Sequence, residues 1–571
     1  MRFHVYPHLS GHSKKMSYRN YGKLDDPVRT EGDVAFRGLN TFMEAESLEP
    51  GFVQKAENIR MDGNSASVRL GWDFLAATAS GPLNAFSYSA SDDEVFTSGK
   101  YSDPDDNNLD WLVLVTKTKV ILWNEDTPNG LTVNYVSGQT VTTAQTPTVV
   151  QAFSKVYIMR LGQRPLEWDG DITATGTVVD SEFGMLSASS PGAGLDAFPS
   201  TDYALYTCNR LVGFQPPTVA TSTTSKTGAQ IIVASELLGT GIKSSESEFY
   251  LNLGSADWAV AAISYIESQL IVFMRHSVHC LTNLHATSIS AHYEITREYG
   301  CIARRSIAQS GAQTYFLSDA GVMIMTPQSD PGKGMGIVVS KVQGEAVPLS
   351  RPIQNKILDV NEDYAHLSAG IVHDGRYYLS YASGTESDTT PRNVAVYDIL
   401  LGAWVSIDRY PDGIYGWVTM PYGSNPMRSR LFATMPKGFY LMEENLGLDD
   451  SGREIGDNSQ SGTTAIAGAL KTRNYSLGNL SVKRWNRGQL GVNVVASDAI
   501  AVAVNTVDPD TSTAVLSYTA SGTEEALLRF GAHARGFSAN VEITTSAGSP
   551  SFRHVSIDGT ENALGARLEV A

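Results

Sequence analysis

The chain is poor in cysteine and in charge for its length. Only Cys208, Cys280 and Cys301 occur in 571 residues, and none of them forms a Cys-x-x-Cys pair. This spacing excludes a disulfide framework and a zinc site of the ribbon type, so we expect free thiols in a reducing compartment. Charged residues make up 18% of the chain, below the roughly 25% of ordinary soluble domains, which indicates a surface partly covered by neighbouring molecules.

Long apolar runs are also missing. No segment approaches the roughly 20 apolar residues that a membrane-spanning helix needs. The segment from Met1 to Lys15 is polar and lacks the apolar stretch of a signal peptide. We therefore expect a protein that is made in the cytoplasm and is not stably inserted in a membrane.

Basic residues are outnumbered by acidic ones, 43 against 60, which gives a net charge of −17. Tight binding to nucleic acid depends on neutralising phosphates, so this balance argues against a nucleic-acid-binding protein. It suits a surface past which DNA slides without adhering, although solubility alone is the simpler explanation.

The sequence also lacks catalytic motifs. It contains no phosphate-binding P-loop, no His-Glu-x-x-His and no Gly-x-Ser-x-Gly. Residues 332–336 are glycine-rich, but the spacing of a dinucleotide-binding turn is absent and a flexible loop is expected. We therefore predict that the protein is not an enzyme, and we assign no catalytic, metal-binding or cofactor-binding residue.

Two groups of side chains nevertheless have the chemistry of metal ligands. Residues 102–108 are acidic, but they lack the glycine and the closing glutamate of a calcium-binding loop, so a solvated loop is expected. His276 and His279 lie three positions apart in a strand-like stretch and would point to opposite faces. We predict packed or strand-end histidines rather than a shared metal ion.

A pair of carboxylates could serve glycoside hydrolysis if a pocket brought them together. The candidates are predicted to lie in turns beside glycine or alanine, where aspartate normally caps its own backbone. They are Asp319, Asp374, Asp398 and Asp412.

What the sequence does contain is a recurring β-hairpin. Clear copies span residues 263–274, 311–325 and 369–380, each with two apolar strands around a short polar turn. Residues 166–170 and 394–404 have the pattern of the outer half of the same unit. Repeats of this length predict an irregular β-propeller of roughly six to eight blades over residues 81–445, with long loops at 171–200 and 216–248.

The whole chain is expected to be all-β, and the propeller has a different segment on each side. Residues 1–33 are predicted to be an N-terminal arm and residues 34–80 a β-rich platform module, with turns at Pro50-Gly51 and Asp62-Gly63. Residues 446–463 are the clearest linker. Short alternating strands over residues 464–571 predict a C-terminal β-sandwich.

A basic cluster opens the C-terminal segment. It comprises Lys471, Arg473, Lys483, Arg484 and Arg487, with Trp485 between the last three, and Arg529 and Arg535 follow later. The tryptophan could stack on a base or a sugar, or it could dock on an acidic neighbouring subunit. The acidity of the whole chain favours the second interpretation.

Residues 34–72 resemble the opening module of phage virion proteins. The resemblance rests on Gly38-Leu39-Asn40-Thr41, Pro50-Gly51, Asn58-Ile59-Arg60 and Arg69-Leu70-Gly71, and more loosely on residues 299–322 and 396–404. The family with this pattern is the tail nozzle, or tail tubular protein B, of short-tailed bacteriophages. Residues 1–33 are not explained by it.

The resemblance implies a structural protein of the virion tail that is assembled in the host bacterial cytoplasm. Its copies would form a homohexameric ring at the distal end of the tail and contact the tail adaptor or tube protein and the tail fibres or tailspikes. Genomic DNA would pass through the ring during genome ejection without sequence-specific binding. The alternatives are a receptor-binding or glycan-degrading propeller, and another ring protein of the neck or tail hub.

Overall fold

A computed structural model gives the structure of the protein. It describes residues 28–74, 94–104, 110–127, 130–152, 154–186, 200–214, 231–235, 247–250, 257, 259–265, 269–282, 291–330, 334–339, 341–342, 345–422, 428–436, 438–445, 449–451, 463–479, 481–507 and 510–561. The described part of the chain is almost entirely β-structure. It contains no helix long and apolar enough to span a membrane.

The strands are numbered in chain order. The first five are β1 (Arg29–Asp33), β2 (Gly38–Leu39), β3 (Phe52–Glu57), β4 (Ile59–Met61) and β5 (Ala66–Val68). The next are β6 (Gly71–Phe74), β7 (Thr97–Ser102), β8 (Asp110–Val115), β9 (Lys119–Trp123), β10 (Leu131–Asn134), β11 (Thr148–Ala152), β12 (Lys155–Arg160), β13 (Gln163–Trp168), β14 (Ala174–Thr175), β15 (Val178–Val179), β16 (Gly184–Met185), β17 (Ala204–Thr207), β18 (Arg210–Phe214), β19 (Ile231–Ala234), β20 (Ser247–Tyr250), β21 (Ala259–Ser264), β22 (Leu270–Met274) and β23 (Val278–Thr282). They continue with β24 (Ala291–Thr296), β25 (Ala308–Ser310), β26 (Gln313–Ser318), β27 (Gly321–Asp330), β28 (Gly334–Val339), β29 (Lys341–Val342), β30 (Glu345–Ala346), β31 (Ala369–His373), β32 (Arg376–Tyr381), β33 (Asn393–Asp398), β34 (Ala403–Arg409), β35 (Gly416–Tyr422), β36 (Arg428–Met435), β37 (Gly438–Asn445), β38 (Asp449–Ser451) and β39 (Thr463–Ala465). The last seven are β40 (Gly468–Thr472), β41 (Lys483–Val494), β42 (Ala499–Val507), β43 (Thr511–Thr519), β44 (Glu524–Gly536), β45 (Ser538–Ala547) and β46 (Ser551–Glu561).

Helical structure in the described residues is limited to one or two turns at a time. The α-helical turn is α1 (Gln354–Ile357), and the 3-10 turns are Thr143–Gln145, Arg304–Ser306, Arg351–Ile353 and Glu362–Leu367.

The chain divides into two compact units. Unit 1 combines residues 1–69 with residues 466–571, and unit 2 comprises residues 70–465. The chain therefore starts unit 1, completes the whole of unit 2, and then returns to finish unit 1.

Unit 2 is a β-propeller, as the hairpin repeat predicted. Its described strands form seven blades of antiparallel sheet, and the first blade is extended by β15 and β14. In order, the blades are β7–β10, β11–β13 with β16, β17–β20, β21–β24, β25–β28, β31–β34, and β35–β37 with β6. Seven lies within the predicted range of six to eight.

The first strand of each blade lies on the inside of the propeller. These strands contact one another in the sequence β21, β17, β11, β7, β35, β31 and β25. Between β25 and β21 the circle is completed by a hydrogen bond of 3.2 Å from Gln309 Nε2 to the carbonyl oxygen of Ser264. The seven blades therefore form a closed circle.

The propeller is closed by its earliest strand. β6 pairs antiparallel with β37, so the seventh blade joins the first residues of unit 2 to nearly the last. Trp72 of β6 is 2% exposed and stacks on Tyr440 and Tyr410, with ring centroids 4.8 and 5.1 Å away. The pairing of β6 with β37 and the stacking of Trp72 therefore close the circle of blades without a covalent bond.

Two expectations for unit 2 were wrong. The regions 171–200 and 216–248 were predicted to be loops, but their described residues include β14–β16, β19 and the start of β20, which are outer strands of the first three blades. Gly334 and Gly336 were placed in a flexible loop and lie instead in β28, paired with β27. In both cases hydrogen bonding to a neighbouring strand overrides the low strand propensity of Gly, Ser and Ala.

Unit 1 is a β-sandwich of two six-stranded sheets. Sheet A has the order β4-β5-β46-β41-β44, and β1 also pairs with β46. Sheet B has the order β2-β3-β40-β45-β42-β43. In β44 the buried and exposed residues alternate from Leu527 to Gly536, which is the pattern of a sheet with one face in a core and one in solvent.

The predicted domain boundaries require correction. The module at 34–80 and the segment 464–571 are not separate domains, because β2–β5 lie in the same two sheets as β40–β46. Arg29–Asp33 of the predicted arm forms β1 and pairs with β46, while residues 1–27 lie outside the described residues. Within the predicted linker, residues 449–451 and 463 belong to a small hairpin, β38–β39. Sequence spacing could not reveal strands that pair across some 400 residues.

Candidate functional site

Several residues of the segment 34–72, which carries most of the family resemblance, hold unit 1 together. Asn58 has a left-handed backbone with φ of 55°, a conformation that asparagine tolerates better than most residues. Its Oδ1 accepts a hydrogen bond of 2.9 Å from Arg69 Nε, and its Nδ2 donates to the carbonyl oxygen of Ala467 at 2.8 Å. The motif Asn58 to Gly71 thus joins the first and last parts of unit 1.

The Pro50-Gly51 turn has a comparable role. Gly51 has φ of 91°, which only glycine adopts without strain, and its N–H donates 2.9 Å to Oδ1 of the buried Asp33. Asn40 caps the following loop by accepting from the N–H groups of Phe42 and Met43 at 3.1 and 3.0 Å. The side-chain and backbone hydrogen bonds of this segment are therefore structural.

A buried ionic network supports the same region. Asp33 is 1% exposed and accepts from Arg473 Nε at 3.1 Å and from the Tyr475 hydroxyl at 2.8 Å. Glu31 accepts from Arg473 Nη1 at 2.8 Å and from the N–H groups of Ser476 and Leu477. Burial opposes the charge of Arg473, but the two carboxylates outweigh it and raise the pKa of its guanidinium.

The propeller contains a cavity of about 600 Å³. It is lined by the segments that lead into the first strands of all seven blades, which places it on the axis of unit 2. One residue from each blade segment shows this, in order Glu94, Thr146, Asp202, Val260, Arg304, His366 and Tyr415. A volume of this size suits a small ligand of one or two rings.

The charges around this cavity are mostly positive and are held by neighbouring blades. Arg304 forms an ion pair with Asp202, which also accepts from the Thr146 hydroxyl at 2.9 Å. Arg305 donates to the carbonyl oxygens of Tyr415 and Pro147 at 3.0 and 3.1 Å. Burial, reinforced by the neighbouring Arg304, lowers the pKa of Arg305 to about 10.

His366 lines the cavity beside these positive charges. Burial lowers the pKa of His366, and the charges of Arg304 and Arg305 lower it further, so the imidazole is neutral at pH 7. With Arg275 also in the lining, three guanidinium groups face the two carboxylates Glu94 and Asp202. The lining therefore has one more positive than negative side chain, which suits a ligand with a single negative charge. Arg304 and Arg305 also connect neighbouring blades.

The two histidines singled out in the sequence lie apart. His276 is exposed in the turn after β22, whereas His279 is fully buried in β23, as expected for a packed histidine. His279 Nδ1 lies 3.2 Å from His292 Nε2, and its Nε2 lies 2.9 Å from the Ser277 hydroxyl. Burial, with the nearby His292, lowers the pKa of His279 to about 4. The partner His292 was missed because it follows in the next strand.

The four candidate carboxylates do not meet in one site. Asp398 Oδ1 caps its turn by accepting from the N–H groups of Leu400 and Leu401, both at 3.0 Å, and its Oδ2 accepts from Arg376. Asp412 accepts from the N–H of Gly413 at 2.7 Å. Asp319 and Asp374 lie in the turns before β27 and β32. None of the four lines the axial cavity, so the expected capping role is confirmed for Asp398 and Asp412.

The basic cluster divides into internal and external residues. Trp485 was predicted to stack on a ligand or dock on a neighbour, and this was wrong, because its side chain is fully buried in the sandwich. Lys483 is also buried, where its Nζ donates to the carbonyl oxygens of Asn479, Ser481 and Phe537 at 2.7–2.9 Å. The exposed Arg484 lies between these two buried residues, because successive side chains of a strand point to opposite faces.

The external residues of the cluster share one surface. Arg484, Arg487, Arg529 and Arg535 are exposed on β41 and β44, and we call them the basic face of sheet A. Arg484 and Arg535 lie directly opposite each other in the strand register. Lys471, by contrast, lies in β40 of sheet B.

Groups of three metal ligands and free thiols add no further site. Among the described residues, no group of three or more His, Cys, Asp or Glu side chains is arranged to hold a metal ion. Residues 105–108 of the acidic segment 102–108 lie outside the described residues. Cys280 and Cys301 are buried free thiols, and Cys208 is a partly exposed one. Burial raises the pKa of the Cys301 thiol to about 12, which keeps it protonated and unreactive.

The fold defines the class as an all-β protein with a seven-bladed propeller and a β-sandwich. No protein-family model and no curated protein matches the chain. Solved structures that resemble it include YCF48 from Cyanidioschyzon merolae, at 12% identity and a TM-score of 0.34 over 66% of this chain and 100% of that one. A puromycin hydrolase matches at 12% identity and a TM-score of 0.33, over 72% of this chain and 62% of that one. A glycoside hydrolase matches at 12% identity and a TM-score of 0.25, over 81% of this chain and 97% of that one. With scores this low, the fold class rests on the chain's own strand pairing.

Proposed function

We propose that the protein is a structural component of a short bacteriophage tail, a nozzle-like ring through which genomic DNA leaves the virion. The proposal rests on the resemblance of residues 34–72 to the opening module of such proteins. The tail adaptor or tube protein and the tail fibres or tailspikes are its proposed partners. The virion tail is its proposed location.

Three properties of the chain support a structural role. The motif residues Asn40, Gly51, Asn58 and Arg69 hold strands of unit 1 together. Two of the candidate carboxylates, Asp398 and Asp412, cap turns in separate parts of the propeller. The net charge of −17 gives a surface that repels phosphate, as a conduit for DNA requires.

The test is electron microscopy of the purified full-length protein, alone and mixed with the proposed tail-tube partner. We expect six-fold rings at the end of the tube. A stable monomer that never joins tails would overturn the proposal. Rings found only at the neck would instead support the alternative position in the neck or hub.

A second candidate function is recognition of a surface glycan. It is favoured by the axial cavity, whose guanidinium groups, hydroxyl groups and aromatic rings of Tyr364 and Tyr415 suit an acidic sugar. Calorimetry with glucuronate and with glucose as the neutral control tests it. This function requires that glucuronate binds, that glucose does not, and that Arg304→Gln weakens binding while Arg297→Gln on the exposed surface does not.

A further inference from the structure

The fourth blade, β21–β24, contains a row of hydrogen bonds that begins at a carboxylate and ends at a pair of histidines. Asp257 Oδ2 accepts from the Ser277 hydroxyl at 2.8 Å, and Ser277 Oγ lies 2.9 Å from His279 Nε2. On the other side of its ring, His279 Nδ1 lies 3.2 Å from His292 Nε2. The four side chains are therefore linked in one continuous row.

This row fixes which nitrogen of His279 carries the proton. A carboxylate only accepts hydrogen bonds, so the Ser277 hydroxyl donates to Asp257 and its oxygen accepts from His279 Nε2–H. Burial, with the nearby His292, lowers the pKa of His279 to about 4, so the ring is neutral at pH 7. A neutral imidazole protonated at Nε2 has its lone pair on Nδ1, which here faces His292.

The second histidine supplies a nitrogen from the solvent side. His292 is exposed, whereas His279 is fully buried. The ring centroids are 5.3 Å apart, much farther than the two nitrogens, so the nitrogen edges of the rings face each other. With a zinc–nitrogen distance of about 2.05 Å, nitrogens 3.2 Å apart subtend roughly 100° at the metal, which is close to the tetrahedral angle. The pair therefore has the nitrogen spacing of a chelate.

The charges around the pair favour a cation. Glu294 lies directly opposite His279 in the strand register, beside an irregularity in the pairing of β23 with β24. The negative charges of Glu294 and Asp257 both favour a positive charge at His279. Arg297 opposes them, but it is exposed and forms an ion pair of 2.6 Å with Glu294. Two carboxylates and one guanidinium therefore leave the surroundings of the pair negative.

The row also has the form of a metal ligand with its supporting partners. Histidines that bind metals almost always donate their other ring N–H to a carboxylate, a carbonyl oxygen or water, which fixes the tautomer and orients the ring. Here Ser277 holds His279 Nε2–H, and Asp257 in turn holds the Ser277 hydroxyl. The buried ring is thus oriented in advance, with its open nitrogen towards the exposed one.

We propose that His279 Nδ1 and His292 Nε2 together bind a divalent transition-metal ion, with water completing its coordination. Imidazole nitrogen suits Zn²⁺, Ni²⁺ and Cu²⁺, whereas Mg²⁺ prefers oxygen ligands. Water fills the remaining positions because the described residues hold no group of three metal-binding side chains. The ion joins β23 to β24, the outer strand of the blade, which contacts β28 of the next blade. This site is independent of the proposed tail function.

Calorimetric titration of the full-length protein with ZnCl₂ tests the site. His292→Ala removes the exposed ligand and should abolish zinc binding at this position, since one imidazole remains. Ser277→Ala removes the support of the buried ligand and should weaken zinc binding about 10–100-fold. MgCl₂ should not bind at this position. Circular dichroism confirms that each variant is folded.

Other histidines of the chain also need to be controlled. His4, His8 and His12 recur at intervals of four residues, so all three are replaced by glutamine in every sample, and this protein is called the background protein. His276→Gln in that protein is the matched control, because His276 is exposed in the same turn as Ser277 and its imidazole lies outside the row. It should bind zinc with the affinity of the background protein.

Hydrogen exchange locates the bound ion. Zinc should slow the exchange of amides in β23 and β24 in the background protein and in His276→Gln, but not in His292→Ala. Strands of unit 1 such as β41 should not respond. A signal confined to these two strands would support the site.

Three results would overturn the inference. If His292→Ala bound zinc as tightly as the background protein, the ion would be held elsewhere. Unchanged exchange in β23 and β24 at saturating zinc would lead to the same conclusion. If the background protein bound no zinc, the two histidines would form only a hydrogen bond, with His292 Nε2–H as the donor. None of these results would alter the proposed tail function, which is tested by the presence of the protein in tails.

Discussion

The hydroxyl of Tyr475 donates a hydrogen bond of 2.8 Å to Oδ2 of Asp33, which lies 442 positions earlier in the chain. The first of these residues follows the propeller in the sequence and the second precedes it. Unit 1 is therefore completed only after all seven blades have been synthesised. Burial raises the pKa of Tyr475 well above its ordinary value, and the adjacent Asp33 charge raises it further, so the hydroxyl remains a donor.

Asp33→Ala should destabilise unit 1. The change leaves Arg473 buried with Glu31 as its remaining carboxylate partner, and breaking a buried ion pair from one side costs about 3 kcal/mol or more. Hydrogen exchange in the most protected amides of β40–β46 should accelerate about a hundredfold. Asp126→Ala, at an exposed turn, is the matched control, and equal exchange in both variants would show that the network contributes little.

Trp72→Ala should loosen the closure of the propeller. Removing a buried aromatic side chain typically costs about 3–5 kcal/mol, and here both stacking contacts, with Tyr410 and Tyr440, are lost. The expected result is increased exchange in β37 and its neighbours at unchanged protection in β41 and β46. Trp72→Phe retains a ring in the site and should recover most of the protection. A uniform change in both units would contradict a local closing role.

Stability should fall on acidification because His279 is buried and neutral. Its pKa is about 4 in the folded protein against about 6.5 in the unfolded chain, so the unfolded state binds more protons between these values. The contribution is present above pH 6.5 and is lost as the pH falls towards 4, by about 3 kcal/mol in total. Denaturant titrations of unit 2 across this range should show a smaller pH dependence for His279→Gln than for His276→Gln.

Asn58 should tolerate glycine better than alanine. Glycine accepts the left-handed backbone at this position but loses the bonds to Arg69 and Ala467, whereas alanine loses those bonds and is also strained. In thermal unfolding the unmodified protein should therefore be the most stable and Asn58→Gly the next. Asn58→Ala should be less stable than Asn58→Gly by about 1 kcal/mol. Equal stability of the two variants would show that φ at this position is not restrictive.

The hairpins formed by strands that are neighbours in the chain could be predicted from the sequence. The hairpins at 263–274, 311–325 and 369–380 formed as expected, because their strands are apolar runs around polar turns and pair with their nearest neighbours. The blade count fell in the expected range for the same reason. Alternation in residues 488–507, 514–518, 526–530, 538–545 and 552–557 also predicted the sandwich strands, although β41 and β44 are longer than the pattern indicated.

The pairing of strands that lie far apart in the chain could not be predicted from the sequence. The pairing of β3 with β40, and of β1 with β46, joins segments that share no pattern, so the platform module was mistaken for a domain. The inward orientation of Trp485 depends on strand register, which composition does not reveal. The axial cavity draws single residues from seven blades, and no motif connects Asp202 with Arg304 in the sequence.

The most direct measurement of the central proposal is cryo-electron microscopy of tails assembled from the full-length protein and its tube partner. The account predicts a homohexameric ring of this chain at the distal end of the tube, around a channel wide enough for double-stranded DNA. Tails that assemble fully without the protein, or that carry it only as isolated copies on fibres, would contradict the account.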